Sequence, residues 1–308
     1  MINRILIRIR VIQIVYAWYQ NRDKDLRQVE RELLLGLQKS YDLYYYLLKL
    51  MIEITDLHEK RVNSNLNKFL PTSEDLNPKM HIVNNQFIEQ LRGNRMFINY
   101  ITERPMSWES NFNFVKGILD NILESDIYKE YAQLEKPTYK DDKEFWRKVF
   151  RSFIHRNETL DDILEDESIF WNDDIEIVQS FVLKTIKQFT KSEGEDQPLL
   201  PMFNDEEDRE YATKLLRETL VNGKDYREQI TKNADNWDFE RIAFMDVVIM
   251  QVAMAELYEF STIPIKVTLN EYIDLAKAYS TPKSSTFING VLDAIVKDLK
   301  KSDNIFKD

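Results

Sequence analysis

The residues best suited to chemistry in this chain are the cations at its amino terminus. Arg4, Arg8, Arg10 and Arg22 fall in the first 22 residues with no carboxylate among them, on a chain whose net charge is −11. Guanidinium groups at helical spacing suit phosphate oxygens, which they bind through paired N–H donors. Arg4 and Arg8 share one side of a helix while Arg10 points elsewhere, so the same set also reads as a solvated face. Elsewhere the candidates for catalysis fall away. There is no cysteine, which removes thiol nucleophiles, thiolate metal sites and disulfides. His58, His81 and His155 are far apart, and none has the paired spacing of a helical zinc site. Residues 160–174 are rich in aspartate and glutamate, but no glycine supplies the turn that a calcium loop needs, so they read as a solvated acidic face. We expect no catalytic residue, no metal and no cofactor.

The elements that must position the arginines are helices. Only six glycines and eight prolines punctuate 308 residues, too few for the tight turns of a sheet protein. The length allows more than one compact unit. In residues 2–20, Ile5, Ile9, Ile12, Tyr16 and Tyr19 recur at spacings of three and four, which predicts a helix with one apolar stripe. A long helix is expected over 25–69, with Tyr44, Tyr45 and Tyr46 in its packed interior, and further helices over 86–102, 108–133, 143–155 and 175–189. Residues 191–201 have the composition of a linker. Beyond it we expect helices over 206–223, with Gly223 as C-cap, and over 226–234. The next, 239–260, is apolar on every face and so stands at the centre of a bundle. Thr268 and Glu271 have the spacing of a capping box for the following helix. Phe287, Ile288, Val291, Leu292, Ile295 and Leu299 mark the last.

The opening stretch does not read as an export signal, because Arg8 and Arg10 interrupt it and no small-residue cleavage site follows. The most apolar stretch, 242–255, holds Asp246 and Gln251 and is too short to span a bilayer. A cysteine-free chain of this kind suits the cytoplasm.

Three pieces of the carboxyl-terminal region resemble the NusB family in order and spacing. They are Glu256-Leu257 through Pro264, then Asn270-Glu271 with Leu275-Ala276-Lys277, and finally Phe287-Ile288-Asn289-Gly290-Val291-Leu292-Asp293. At the other end, Arg8, Gln13 and Tyr16-Ala17-Trp18 resemble the family's first helix. The likeness covers roughly 1–21 and 205–302, which divides the chain into a first helix over 1–21, a helical acidic insertion and linker over 22–203, and the rest of the NusB-like core over 204–308. The fold it implies is all-α, a NusB-like double helical bundle carrying an additional helical insertion.

The resemblance also implies a function: a non-enzymatic transcription antitermination and termination factor. It would bind boxA-like single-stranded RNA with the ribosomal protein NusE, within the RNA polymerase antitermination complex during ribosomal RNA synthesis. On that resemblance Arg4 and Arg8 would contact phosphates, Gln13 and Tyr16 would lie near bases, and Lys283, Phe287 and Asn289 would complete the RNA surface. Arg241 and Glu256, taken as exposed charges, would face the protein partner. Tyr16 and Phe287 could equally be core. Two departures bear on affinity: Ile5, Leu6 and Ile7 stand where relatives carry a denser arginine cluster, and Lys283 stands where an acidic residue is familiar. Two other readings compete. A NusB-like domain is also found fused to ribosomal RNA methyltransferases, but those need clustered glycines and a cysteine, and here even the nearest two glycines, Gly93 and Gly117, are well separated. The alternative that stands is a protein-only interaction scaffold that has lost RNA binding.

Overall fold

The structure, a computed structural model, describes residues 1–21, 24–234 and 242–301. Among the described residues the chain is all-α, with no strand. The helices are α1 (Arg4–Gln20), α2 (Leu26–Leu66), α3 (Ser73–Leu76), α4 (Gln86–Arg92), α5 (Arg95–Glu103), α6 (Phe112–Glu124), α7 (Asp126–Ala132) and α8 (Tyr139–Val149). After a π-helical turn at Phe150–Ile154 come α9 (Glu158–Glu167), α10 (Ile175–Gln188), α11 (Glu206–Val221), α12 (Gly223–Asn233), α13 (Phe244–Glu259), α14 (Ile265–Tyr279) and α15 (Ser284–Lys301). They form two compact units. One joins Ile2–Gln38 to Phe203–Asp308, and the other holds Met1 and Lys39–Met202.

In the first unit α13 is enclosed, as its all-round apolar sequence requires. Every residue from Asp246 to Leu257 is buried, and α1, α11, α12, α14 and α15 all pack on it. The amino-terminal helix departs from its expected stripe. Leu6, Ile7, Ile9, Val11, Ile12, Ile14 and Val15 are buried together with Arg8 and Arg10, so most faces of α1 are covered. A helix buried against several neighbours has no single apolar face to display. Asn3 caps it, its side chain accepting from the Leu6 N–H at 2.9 Å. Residues 26–38 also belong to this unit rather than to the insertion expected from residue 22. Val29, Leu33 and Leu37 are buried, and Arg217 of α11 reaches Glu30 at 2.7 Å.

Two caps expected in this unit change role. Asn222 closes α11, and Gly223 opens α12 instead of ending its predecessor. A Cβ on Gly223 would lie 2.5 Å from the Tyr19 hydroxyl, so glycine stands there because another side chain needs the space. Helix α14 starts at Ile265, directly after Pro264, so Thr268 lies inside the first turns and cannot cap. Its hydroxyl donates to Glu256 Oε1 at 2.8 Å.

The second unit is built on the 28 residues of α2 from Lys39 onward. The three consecutive tyrosines are core, each engaging a different neighbour. Tyr44 shares a hydrogen bond with Thr185 at 2.6 Å, Tyr45 stacks on Tyr100 with ring centroids 3.7 Å apart, and Tyr46 stacks on Trp108 at 4.1 Å. The expected helices over 86–102 and 108–133 are each broken in two. Asn94 and Ser125 turn their side chains onto the N–H groups of Phe97 and Tyr128 and so start new helices. Only the first part of the acidic stretch, up to Glu167, lies in α9, with Leu160 and Leu164 buried. The expected linker is instead tied down: Asn94 donates to the Gln197 carbonyl at 2.7 Å, Tyr41 donates to that of Leu200 at 2.8 Å, and Leu199 is buried.

Two glycine-to-alanine replacements should move stability in opposite directions. Gly117, exposed within α6 with open space where a Cβ would go, should gain about 0.5–1 kcal/mol as Gly117→Ala. Gly223→Ala should lose about 1–3 kcal/mol through overpacking against Tyr19. Urea midpoints of the two variants check both signs.

Candidate nucleic-acid interface

The amino-terminal turn of α13 gathers residues from three other elements. Tyr16 of α1 meets Phe244 with ring centroids 5.4 Å apart, and Tyr19, one turn on, meets the same ring edge-on at 5.7 Å. Two residues further, buried Asp246 accepts hydrogen bonds from Ser280 and from Ser284, the latter at 2.8 Å. Those serines bracket the connection between α14 and α15, and Lys283 is exposed on it. The fold thus brings Tyr16 and the Lys283 loop to the same end of α13. Asn289 is exposed on the second turn of α15, and Gln13 lies half-buried one turn before Tyr16. Sequence reasoning missed Phe244 and Asp246, since an aromatic and an acid opening an apolar helix carry no signal of what they will hold.

The remaining assignments are corrected or fall elsewhere. Arg8 is buried, and its guanidinium is used up within the fold: Nε and Nη2 donate to Glu256 at 2.8 and 3.0 Å, and Nη1 donates to Glu271 at 3.0 Å. It cannot also reach a phosphate. Glu256, expected to be exposed, has no exposed surface. Besides Arg8 it accepts from the hydroxyls of Tyr211, Thr268 and Tyr272. Glu271 serves the same pair rather than a cap. Phe287 is buried and packs the bundle. Arg10 is buried too, donating to Gln13 Oε1 at 2.9 Å. Arg4 is half-buried, 3.1 Å from Glu207 and 3.7 Å from Asp208, with its guanidinium 5.0 Å from the Tyr211 ring centre. Arg241 lies outside the described residues. No group of three or more potential metal-ligating side chains stands together among the described residues, and no described helix is long and apolar enough to cross a membrane.

Burial alone would raise the Glu256 carboxyl, but the hydrogen bonds and charge of Arg8, with the Tyr211 and Thr268 hydroxyls, outweigh it and hold the group below its ordinary value. Burial and the Glu256 charge push the Tyr211 and Tyr272 phenols well up, so both stay donors. A carboxyl depressed by folding contributes stability that is fully present above its unfolded pKa near 4.5. That contribution is lost as pH falls through the folded value.

This arrangement of an enclosed first helix, a central α13 and a polar loop into the last helix defines an all-helical bundle. The model described as "NusB family" matches residues 175–297. The transcription antitermination protein NusB of Salinibacter ruber is 41% identical over 124 residues, which are 38% of this chain and 78% of that protein. The Geobacter sulfurreducens protein of the same name is 39% identical over 112 residues, 34% of this chain and 81% of the relative. That of Chloroherpeton thalassium is 38% identical over 99 residues, 32% of this chain, which spans 47% of that relative's length. No solved structure matches the chain. The chain belongs to the NusB family, whose members are regulators and not enzymes.

Replacing Arg8 should expose what the buried pair contributes. Arg8→Met should cost about 3–5 kcal/mol at pH 7, because Glu256 is left charged and buried without its partner. The deficit should shrink toward pH 5 as the isolated carboxyl takes up a proton. Thermal melts at the two pH values check this, and a deficit independent of pH would show that the arginine acts by packing alone.

Proposed function

We propose that this protein is a cytoplasmic transcription antitermination factor that binds boxA-like single-stranded RNA together with the ribosomal protein NusE, within the RNA polymerase antitermination complex. The observation that carries the reading is its similarity to relatives named transcription antitermination protein NusB, at 41% identity across 78% of the first of them. The surface at the end of α13 supports it. Lys283 offers a charge for phosphate, Gln13 and Asn289 offer amides for base edges, and Tyr16 offers a ring. Arg4 lies on the same helix as Gln13, with a third of its side chain exposed beside its acidic partners. Arg241 remains the candidate for the protein-facing surface.

A second reading, a scaffold that binds proteins and no longer binds RNA, is favoured by one observation. Two of the three arginines of α1, Arg8 and Arg10, are buried in the fold. Few cations therefore remain for phosphate on a chain of net charge −11.

Titration of a fluorescent boxA-like single-stranded RNA with the whole chain, with and without NusE and at several salt concentrations, separates the two. The antitermination reading expects salt-sensitive binding that NusE strengthens, with a log–log salt slope of about −0.7 per phosphate contact. Lys283→Gln should then reduce that slope by about 0.7. No binding in either condition would hand the function to the scaffold reading.

A further inference from the structure

Beside the surface just described lies a cluster that the family resemblance does not assign. Arg227 of α12 places its guanidinium 5.4 Å from the centre of the Tyr19 ring and 5.8 Å from that of Phe244. Tyr19 and Phe244 meet at 82°, and Phe244 continues the contact to Tyr16. All four side chains are partly exposed, so the cluster is not core. The Tyr19 ring is held in place from behind: Gln251 donates to its hydroxyl at 2.9 Å, and the bare backbone of Gly223 makes room for it.

The cluster joins these rings to the charge of Arg227. Other cations of this unit, Arg4, Arg209, Lys214 and Arg217, each stand within reach of a carboxylate. No carboxylate among the described residues pairs with Arg227. An arginine laid on aromatic faces uses its plane for the rings and keeps its edge donors, which suit a phosphate in pairs. A guanidinium without an ion pair, next to rings fixed in orientation, matches one nucleotide: a base lies against the partly exposed aromatic surface and its phosphate meets the cation. An acidic peptide would satisfy the charge but would make no use of the aromatic surface beside it.

We propose that Tyr19, Arg227 and Phe244 form a base-stacking subsite for single-stranded RNA, continuous with Tyr16 and extending the bound strand by a nucleotide along α12. The subsite rests on the RNA-binding reading above, and its test is arranged so that the two fail separately. The full-length chain is titrated with boxA-like single strands in which 2-aminopurine is placed at successive positions, and stacking is read as quenching of that base.

With the native chain, one position at an end of the bound segment should be quenched by Tyr19 and its neighbours. Arg227→Gln should weaken binding about five- to tenfold, remove that quench alone and reduce the log–log salt slope by about 0.7. Arg227→Lys should keep the slope and recover only part of the affinity, since an ammonium binds phosphate without the planar stack. Far-UV circular dichroism and the melting temperature, unchanged for a half-exposed surface residue, confirm that the variants are folded. Native-like affinity, slope and quench in Arg227→Gln would overturn the subsite while leaving RNA binding intact. A loss confined to the gain from NusE, with RNA affinity alone unchanged, would overturn it in favour of a protein contact. Absence of RNA binding by the native chain would remove the parent reading and this one with it.

Discussion

Arg8 and Glu256 stand 248 positions apart in sequence and meet in a two-pronged ion pair with almost no exposure to water. Taking both charges out of water costs several kcal/mol each, which the fold offsets by giving the carboxylate donors from Tyr211 of α11 and from Thr268 and Tyr272 of α14. Four helices, α1, α11, α13 and α14, therefore converge on one carboxylate. A slip of any of them by one residue would strand a charge in an apolar interior. The pair fixes the rotation of α1 among its neighbours, which apolar contact alone fixes poorly for a helix buried on most of its faces.

That constraint explains how the chain tolerates so long an interruption between α1 and the helices it packs on. Closing a longer loop adds a cost that grows only logarithmically with its length. The intervening residues also have a core of their own, in which Tyr44, Tyr45 and Tyr46 each engage a different partner along α2. The segment 191–201, polar and rich in turn residues, is anchored by Asn94 and Tyr41 to that second core, so the second unit is closed where the first resumes.

The same pair reshapes the candidate surface. An arginine that holds the fold together is not available to a ligand, so the electrostatic character of α1 passes to Arg4 and to cations on other elements. Asp246 shows a related division of labour. It is a buried acid at the amino-terminal end of α13, and it fastens the loop that exposes Lys283.

Helical class, the centrality of α13, the packed tyrosines and the family were legible in the sequence, because each rests on residue type at short spacing: apolar periodicity, scarcity of glycine and proline, and ordered local motifs. Gly223, Thr268 and Glu271 looked like helix-end signals because their short-range spacing permits that role, and the sequence offers no rival to it. Each is instead claimed by a distant side chain, Tyr19, Glu256 or Arg8. The exposure of Arg8, Glu256 and Phe287 was likewise decided only by tertiary structure. A charged residue in a sequence carries no mark of whether a counter-charge 248 positions away will meet it. Only the folded packing brings that partner within hydrogen-bond distance, and only there does a surface arginine become an interior one.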